Sequence, residues 1–214
     1  MKKNLTELVF VLDRSGSMSG LESDTIGGYN SMIEKQKSEE GEANITTVLF
    51  DDKVEMINQR VSIQEVRKMT EKEYYVRGCT ALLDAIGQTI HYIGNVQKYA
   101  KDEDRAGKVL FVITTDGYEN SSKEYSYDKI RKMIKNQKDR YKWEFIFLGA
   151  NIDAVETAKQ VGIDEEHATN YVADSVGTEL NYKAMNMAIS YCRSEGKING
   201  RWKEEVERDY KERK

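Results

Sequence analysis

The sequence predicts an α/β fold with a Rossmann-like, mostly parallel central sheet of about six strands, one antiparallel edge strand and helices on both faces. Two short runs, residues 8–12 (LVFVL) and 109–113 (VLFVI), are wholly apolar, as expected for strands buried on both faces. Longer amphipathic stretches alternate with such runs, which predicts parallel strands joined by helical crossovers. The turn at residues 51–53 is too short for a crossover, so the strands beside it must be antiparallel.

The remaining helices and strands are predicted from the spacing of apolar residues and from the turn residues between the apolar runs. The first helix carries Gly27 and Gly28, which weaken it, and the helix that starts near Thr80 repeats apolar residues at helical spacing. A weak strand precedes the last helix of the domain. Strands are predicted at residues 8–12, 44–50, 54–58, 109–113, 143–148 and 169–173, and helices at residues 21–38, 63–69, 80–100, 126–137, 153–161 and 178–194.

The length of 214 residues suits one domain with a substantial core, and no repeat or linker divides it. We expect a single domain over residues 1–195. The remaining residues, 196–214, are charged almost throughout, which predicts a solvated and partly helical tail, with a partner-binding arm as the alternative.

Composition restricts the classes of partner and the cellular setting. The formal net charge is −4, from 33 Lys and Arg against 37 Asp and Glu, which argues against a nucleic-acid-binding domain. The apolar run near the start is too short for a secretion signal, and no run approaches the ~18 residues of a membrane span. Cys79 and Cys192 lack metal-ligand spacing, so we expect reduced thiols in a cytoplasmic protein.

Oxygen-bearing side chains gather at three predicted loops. Asp13 ends the first apolar strand and is followed by Ser15 and Ser17; Asp116 follows the strand at 109–113; and Thr80 begins a helix. Ligands of open α/β sheets bind beyond the carboxyl ends of the strands, where the strand order reverses. Five oxygen donors without nitrogen or sulfur suit a hard divalent cation, Mg²⁺ or Mn²⁺, whereas zinc prefers His or Cys.

Each of these loops also has a purely structural interpretation. Asp13 and Ser15 are compatible with a helix cap, and Asp116 with an ordinary turn before Gly117. Asp51 and Asp52 are most simply a hairpin turn. Three more side chains near the predicted site have a functional and a structural interpretation. Asp84 is either a hydrogen-bond acceptor behind the site or an exposed helix residue. Ser19 and Glu119 either line the site or have no part in it.

A divalent cation at this site is compatible with two functions, protein binding and hydrolysis. Two carboxylates do not neutralise a divalent ion fully, so the ion can accept a further carboxylate, and the site would bind an acidic residue of a partner protein. The alternative is a metal-assisted phosphoryl or ester hydrolase. Against it, Ser15 and Ser17 have no evident base, since His91 lies about 16 Å along its helix from the helix start and His167 has no motif beside it. We therefore expect a binding module and no enzyme.

The three loops resemble those of von Willebrand factor A (vWA) domains. Residues 13–17 (DRSGS) match the DxSxS pattern of the family's metal-ion-dependent adhesion site (MIDAS), Thr80 resembles its second-loop threonine and Asp116 its third-loop aspartate. The match to predicted elements covers residues 5–195. The resemblance implies a Rossmann-like sheet, ligand binding through the metal and a last helix, about 178–195, that shifts when the metal gains a ligand. Size and the missing signal resemble stand-alone bacterial vWA proteins.

Overall fold

A computed structural model describes all residues from 1 to 214 and contains one six-stranded sheet. Its strands lie in the order β3-β2-β1-β4-β5-β6, and every neighbouring pair is parallel except β2 with β3. The predicted mostly parallel sheet with one antiparallel edge strand is therefore confirmed. The strands are β1 (Lys2–Asp13), β2 (Glu42–Phe50), β3 (Val54–Ser62), β4 (Ala106–Thr115), β5 (Glu144–Gly149) and β6 (Ala168–Asn170).

Helices cover both faces of this sheet. Alternate residues of β1 point to opposite faces, so Leu8 and Phe10 join one core and Val9 and Val11 the other. The helices are α1 (Glu22–Lys37), α2 (Leu82–Tyr99), α3 (Tyr127–Tyr141), α4 (Ala154–Val161), α5 (Ser175–Glu195) and α6 (Glu204–Arg213). The first core includes residues of α1, α5 and α6, and the second includes residues of α2, α3 and α4.

The segment between β3 and α2 differs most from the prediction. The antiparallel strand runs to Ser62 and not to residue 58, and the helix predicted at 63–69 is only a 3₁₀ turn at Ile63–Glu65. The chain then continues without regular structure to α2. Asn30 of α1 explains part of this path, because its amide accepts from the Met69 N–H and donates to the Met69 carbonyl, both at 2.8 Å. These two bonds attach the extended backbone at Met69 to α1.

The C-terminal segment packs on the domain to a greater extent than a solvated tail would. A 3₁₀ turn at Gly200–Lys203 leads into α6, and Trp202 and Val206 are buried in the same core as α5. The Trp202 indole donates to the Glu166 carbonyl at 3.1 Å. Most charged side chains of this segment stay at the surface, as the sequence predicts. No helix of the chain combines the length and the apolarity that a membrane span requires.

Candidate metal site

The candidate site lies where the strand order reverses. From the central strand β1 the chain proceeds to β2 on one side, and β4 is the neighbour on the other side. Leu12 of β1 pairs with Thr114 of β4, so Asp13 at the end of β1 and Asp116 just after β4 emerge beside each other. The geometry expected from the predicted strands is thus present, with both aspartates at the carboxyl edge of neighbouring strands.

Three hydroxyl groups from two loops meet at this edge. The Ser15 and Ser17 hydroxyl oxygens lie 2.9 Å apart, and the Thr80 hydroxyl donates to Ser15 Oγ at 3.1 Å. Ser15 and Thr80 are buried, whereas Ser17 is exposed, so the cluster opens to solvent on the Ser17 side. The structure therefore brings the three predicted hydroxyl residues into one cluster.

Gly117 allows the third loop to approach this cluster. A Cβ atom at this position would lie 3.0 Å from Ser17 Oγ and 3.0 Å from Thr80 Oγ1. Both contacts are tighter than side chains normally make, so the hydroxyls would have to move. Gly117 thus lets the loop that carries Asp116 approach without displacing the Ser17 and Thr80 hydroxyls.

Asp13 is held rigidly by hydrogen bonds. One carboxylate oxygen accepts from the Ser15 N–H at 2.7 Å and the other from the Thr115 hydroxyl at 2.6 Å, while the Tyr74 hydroxyl donates to the Asp13 carbonyl at 2.6 Å. Burial, together with a smaller effect of the Asp116 charge, raises the pKa of Asp13 to about 6 against the opposing effect of the Thr115 and Ser15 bonds.

Asp116 is buried without a partner. The residue is 2% exposed, and neither of its carboxylate oxygens has a hydrogen-bond partner. Burial raises the pKa of this carboxyl, and the nearby Ser17 hydroxyl only partly opposes that effect. A buried polar group without a partner is costly, and a buried charge is more so. Asp116 is therefore a buried carboxylate whose two oxygens are not satisfied by hydrogen bonds within the chain.

The surroundings of Asp13 and Asp116 fit a hard divalent cation. Neither carboxylate forms an ion pair within the chain, and Arg14, although next to Asp13 in sequence, pairs with Asp51 and Glu55 instead. No group of three or more His, Cys, Asp or Glu side chains is placed to hold a metal ion, so a site here depends on the hydroxyls. Two carboxylates and three hydroxyls are the oxygen donors that Mg²⁺ and Mn²⁺ accept.

An ion-pair network around the buried Asp51 connects the loop that follows β1 to the loop that carries Thr80. Arg14 Nε lies 2.9 Å from Asp51 Oδ2, and Arg77 Nε lies 2.8 Å from the same oxygen. The Arg77 N–H also donates to the Arg14 carbonyl, and the Ala81 N–H to the Asp51 carbonyl. Because Arg77 and Ala81 flank Thr80, the network holds the Thr80 loop against the Asp13 loop. Asp51 makes the predicted hairpin turn through the Lys53 N–H, and it is a buried ion-pair partner as well.

The structure shows what becomes of the three side chains near the site whose roles the sequence leaves open. Asp84 is buried and accepts from the backbone N–H groups of residues 123–125, so it is neither exposed nor an acceptor behind the metal site. Glu119 accepts from the Leu83 N–H and thereby caps the start of α2. Ser19 is exposed and makes no side-chain hydrogen bond in the site. Asp84 and Glu119 thus shape the loops around the candidate ligands, and Ser19 has no such role.

Sequence reasoning missed two groups of supporting residues. Thr115 and Tyr74 hold Asp13, and the position of Thr115 directly before Asp116 is the signal that could have found it. Asp13 of β1 is aligned with Phe50 of β2. Arg14 follows Asp13 and Asp51 follows Phe50, so the pairing of these two strands is enough to predict that Arg14 and Asp51 lie close together. Tyr74 lies in the irregular segment before α2, where no pattern predicts its position.

Comparisons with known proteins identify the fold through structure alone. No protein-family model and no curated protein sequence matches the chain. A von Willebrand factor type A structure from Catenulispora acidiphila matches with a TM-score of 0.58 and 11% identity, over 88% of this chain and 43% of the other. The manganese-loaded TRAP protein of Plasmodium vivax matches with a TM-score of 0.59 and 16% identity, over 84% of this chain and 73% of the other.

A third match was solved with a metal ion in its MIDAS motif. Proximal thread matrix protein 1 of the mussel byssus, solved with a zinc-occupied MIDAS motif, has a TM-score of 0.53 and 13% identity, over 85% of this chain and 47% of the other. This chain spans about half the length of several of the solved chains that it matches. Sheet order, helix placement and these matches define an α/β protein of the open-sheet class. The chain has the von Willebrand factor A fold.

Proposed function

We propose that the chain is a metal-dependent protein-interaction module that binds an acidic residue of a partner protein. A divalent cation, Mg²⁺ or Mn²⁺, would be held by Asp13, Ser15, Ser17, Thr80 and Asp116. The observation that carries the proposal is the buried carboxylate of Asp116, whose two oxygens have no partner in the chain. The manganese in TRAP and the zinc in the mussel protein support a divalent cation on this fold.

The charge of the site favours a carboxylate as the partner's ligand. Asp13 and Asp116 supply two negative charges, and the hydroxyls of Ser15, Ser17 and Thr80 supply none, so a bound cation keeps affinity for a further anionic oxygen. The exposed side of the cluster is at Ser17, which leaves access from solvent. A carboxylate of a partner's Asp or Glu matches both the charge and the hard-oxygen preference of the ion.

We propose a binding role and not catalysis because the serines lack a base. His91 lies on α2, with its ring 6.1 Å from that of Tyr125, and the His167 ring lies near Glu144 and Glu166. Neither imidazole has a hydrogen bond to Ser15 or Ser17, whose hydroxyls bond to each other and to Thr80. Nucleophilic catalysis requires a base within hydrogen-bonding distance of the nucleophile.

The proposed setting is the cytoplasm, where thiols stay reduced. Cys79 is exposed and Cys192 is buried, and both are free.

The partner proposal is tested by affinity capture with the intact chain in Mg²⁺ and in EDTA. We expect a binding protein to be retained in Mg²⁺, lost in EDTA and lost with Asp116→Ala. Asp139→Ala, an exposed aspartate of α3 outside the site, is the matched control and should retain it. Retention that is equal in Mg²⁺ and in EDTA would overturn the mechanism. Hydrolysis of generic phosphate or ester substrates with Mn²⁺, abolished by Asp13→Ala, would favour the hydrolase instead.

A further inference from the structure

A large groove separates α2 from α3 at the opposite end of the sheet from the candidate metal site. Its volume is about 780 Å³, within the range of small-molecule sites, and it is lined by the second half of α2, the start of β4, α3 and Trp143. Thr80 lies at the other end of α2, at the carboxyl edge of the sheet. We call this space the α2–α3 groove.

Two glycines on one face of α2 differ in what covers them. Gly87 packs directly under the Tyr125 ring, where an added Cβ would lie 2.3 Å from a ring carbon. Gly94 follows seven residues later, on the same side of the helix, and a Cβ there would meet nothing within 4 Å. The Tyr125 ring thus covers α2 at Gly87, whereas no side chain covers the helix at Gly94, which lines the groove.

The floor of the groove is apolar and comes from the second core. Ile90, Val109 and Trp143 are almost fully buried, and Met133 of α3 adds a flexible thioether wall. An apolar floor of this kind favours the aliphatic or aromatic body of a ligand over water.

The rim of the groove is basic, although the chain as a whole is acidic. Lys98, Arg105, Lys129 and Lys132 line it, and no Asp or Glu does, whereas the chain carries a net charge of −4. Arg105 pairs with Asp102 at 3.1 Å, but the three lysines have no carboxylate within ion-pair distance. Lys129 donates to the Glu124 carbonyl and Lys98 lies over the Tyr99 ring, but neither contact neutralises the lysine charge. Lysines without carboxylate partners around a concave site attract anions.

We propose that the α2–α3 groove binds a small organic anion, a carboxylate or phosphate with an apolar body. Its anionic group would meet Lys98, Lys129 and Lys132, and its apolar body would lie against Met133 and Trp143. The inference is independent of the metal site, because no predicted metal ligand lines this groove.

The test uses decanoate as the probe, titrated into the intact chain by calorimetry. We expect one saturable site, unchanged in EDTA, with decanol and acetate at least about tenfold weaker because each has only half of the required chemistry. Gly94→Leu should lower decanoate affinity about tenfold by filling the groove. Gly27→Leu, another helical glycine with open space around it, should not.

A charge variant keeps the test decisive if Gly94→Leu fails to fold, which circular dichroism will show. Lys98→Gln combined with Lys132→Gln should weaken decanoate several-fold and reduce its salt dependence, while Lys135→Gln, on α3 outside the groove, should not. Absent saturable binding, equal affinity for decanol, or no effect of the charge variant would overturn the proposal. Concentration-dependent dimerisation abolished by Gly94→Leu would assign the groove to a second copy and would also overturn it.

Discussion

At the scale of single residues, the site combines one satisfied and one unsatisfied aspartate. Asp13 is fixed by the Ser15 N–H and the Thr115 hydroxyl, whereas both oxygens of Asp116 are buried without partners. A carboxylate that serves only the fold would be expected to have acceptor bonds filled by the chain. Asp116 therefore carries a cost in the metal-free protein that a bound cation would offset.

This cost makes a stability prediction for Asp116→Asn. In EDTA the variant should be more stable than the wild type by about 1–2 kcal/mol, because the substitution removes a buried unpaired charge at nearly constant volume. In Mg²⁺ the order should reverse, since the variant lacks a ligand. Chemical unfolding in each buffer measures both differences. A variant that is less stable in EDTA would show that Asp116 is already satisfied in the fold.

Gly117 gives a second prediction, in which no candidate ligand is changed. Gly117→Ala should weaken metal binding about tenfold or more, because the new Cβ displaces the Ser17 and Thr80 hydroxyls from their present positions. Calorimetric titration of Mn²⁺ measures the affinity. Gly27→Ala has open space and should bind as the wild type does; a normal Mn²⁺ affinity for Gly117→Ala would mean that the hydroxyl cluster is not part of the site.

At the scale of elements, the irregular segment before α2 depends on the buried pair of Arg14 and Asp51. Asp51→Ala should destabilise the domain by about 3 kcal/mol, because the buried Arg14 would lose one of its two carboxylate partners and Arg77 would lose its own. Thermal and urea unfolding measure the loss. Asp52→Ala, the exposed neighbour, should change little, and an equal loss for both variants would point to the turn and not to the ion pair.

The same pair predicts an acid-dependent contribution to stability. Burial favours the neutral form of Asp51, but bonds from Arg77, the Lys53 N–H and Arg14 outweigh burial and lower its pKa below the ordinary 3.8. A lowered pKa stabilises the fold above the unfolded value and loses that effect as pH falls through the folded value. The free-energy difference between wild type and Asp51→Ala should therefore hold at neutral pH and shrink below about pH 4. A difference that is constant down to pH 2 would contradict this account.

The C-terminal segment gives the other element-scale prediction. Trp202 is 1% exposed and belongs to the core that α5 covers, so Trp202→Ala should cost about 3–5 kcal/mol of stability. Tyr141→Ala, an exposed aromatic at the end of α3, is the control and should cost far less. Urea unfolding decides between them. An effect of Trp202→Ala as small as that of the control would make residues 196–214 a dispensable tail.

At the scale of the whole molecule, the sequence predicts the sheet well and the contacts between loops poorly. Apolar runs identify the buried strands, and the short turn at 51–53 identifies the antiparallel edge, because both depend on local pattern. The irregular path after Glu65 depends on Asn30 and Arg14, which lie far away in sequence. Trp202 stands among charged residues, so the composition of its segment predicts that it is exposed. It is buried instead, because elements that are distant in sequence surround it.

The candidate site follows the same division. The strand ends of β1 and β4 carry Asp13 and Asp116, and parallel neighbours place them together, so these positions are predictable. The fit of Gly117 against two hydroxyls and the unpartnered state of Asp116 are properties of the assembled loops. No single-sequence pattern specifies either of them.

Calorimetric titration of Mg²⁺ and Mn²⁺ into the wild-type chain and into Asp116→Ala tests the central claim most directly. The account predicts uptake of one ion per wild-type chain and a thermal stabilisation that grows with free metal, about 2.7 kcal/mol at a hundredfold excess over Kd. In Asp116→Ala both effects should be lost. Absence of uptake at millimolar metal, or equal uptake by the variant, would contradict the claim that these three loops hold a divalent cation.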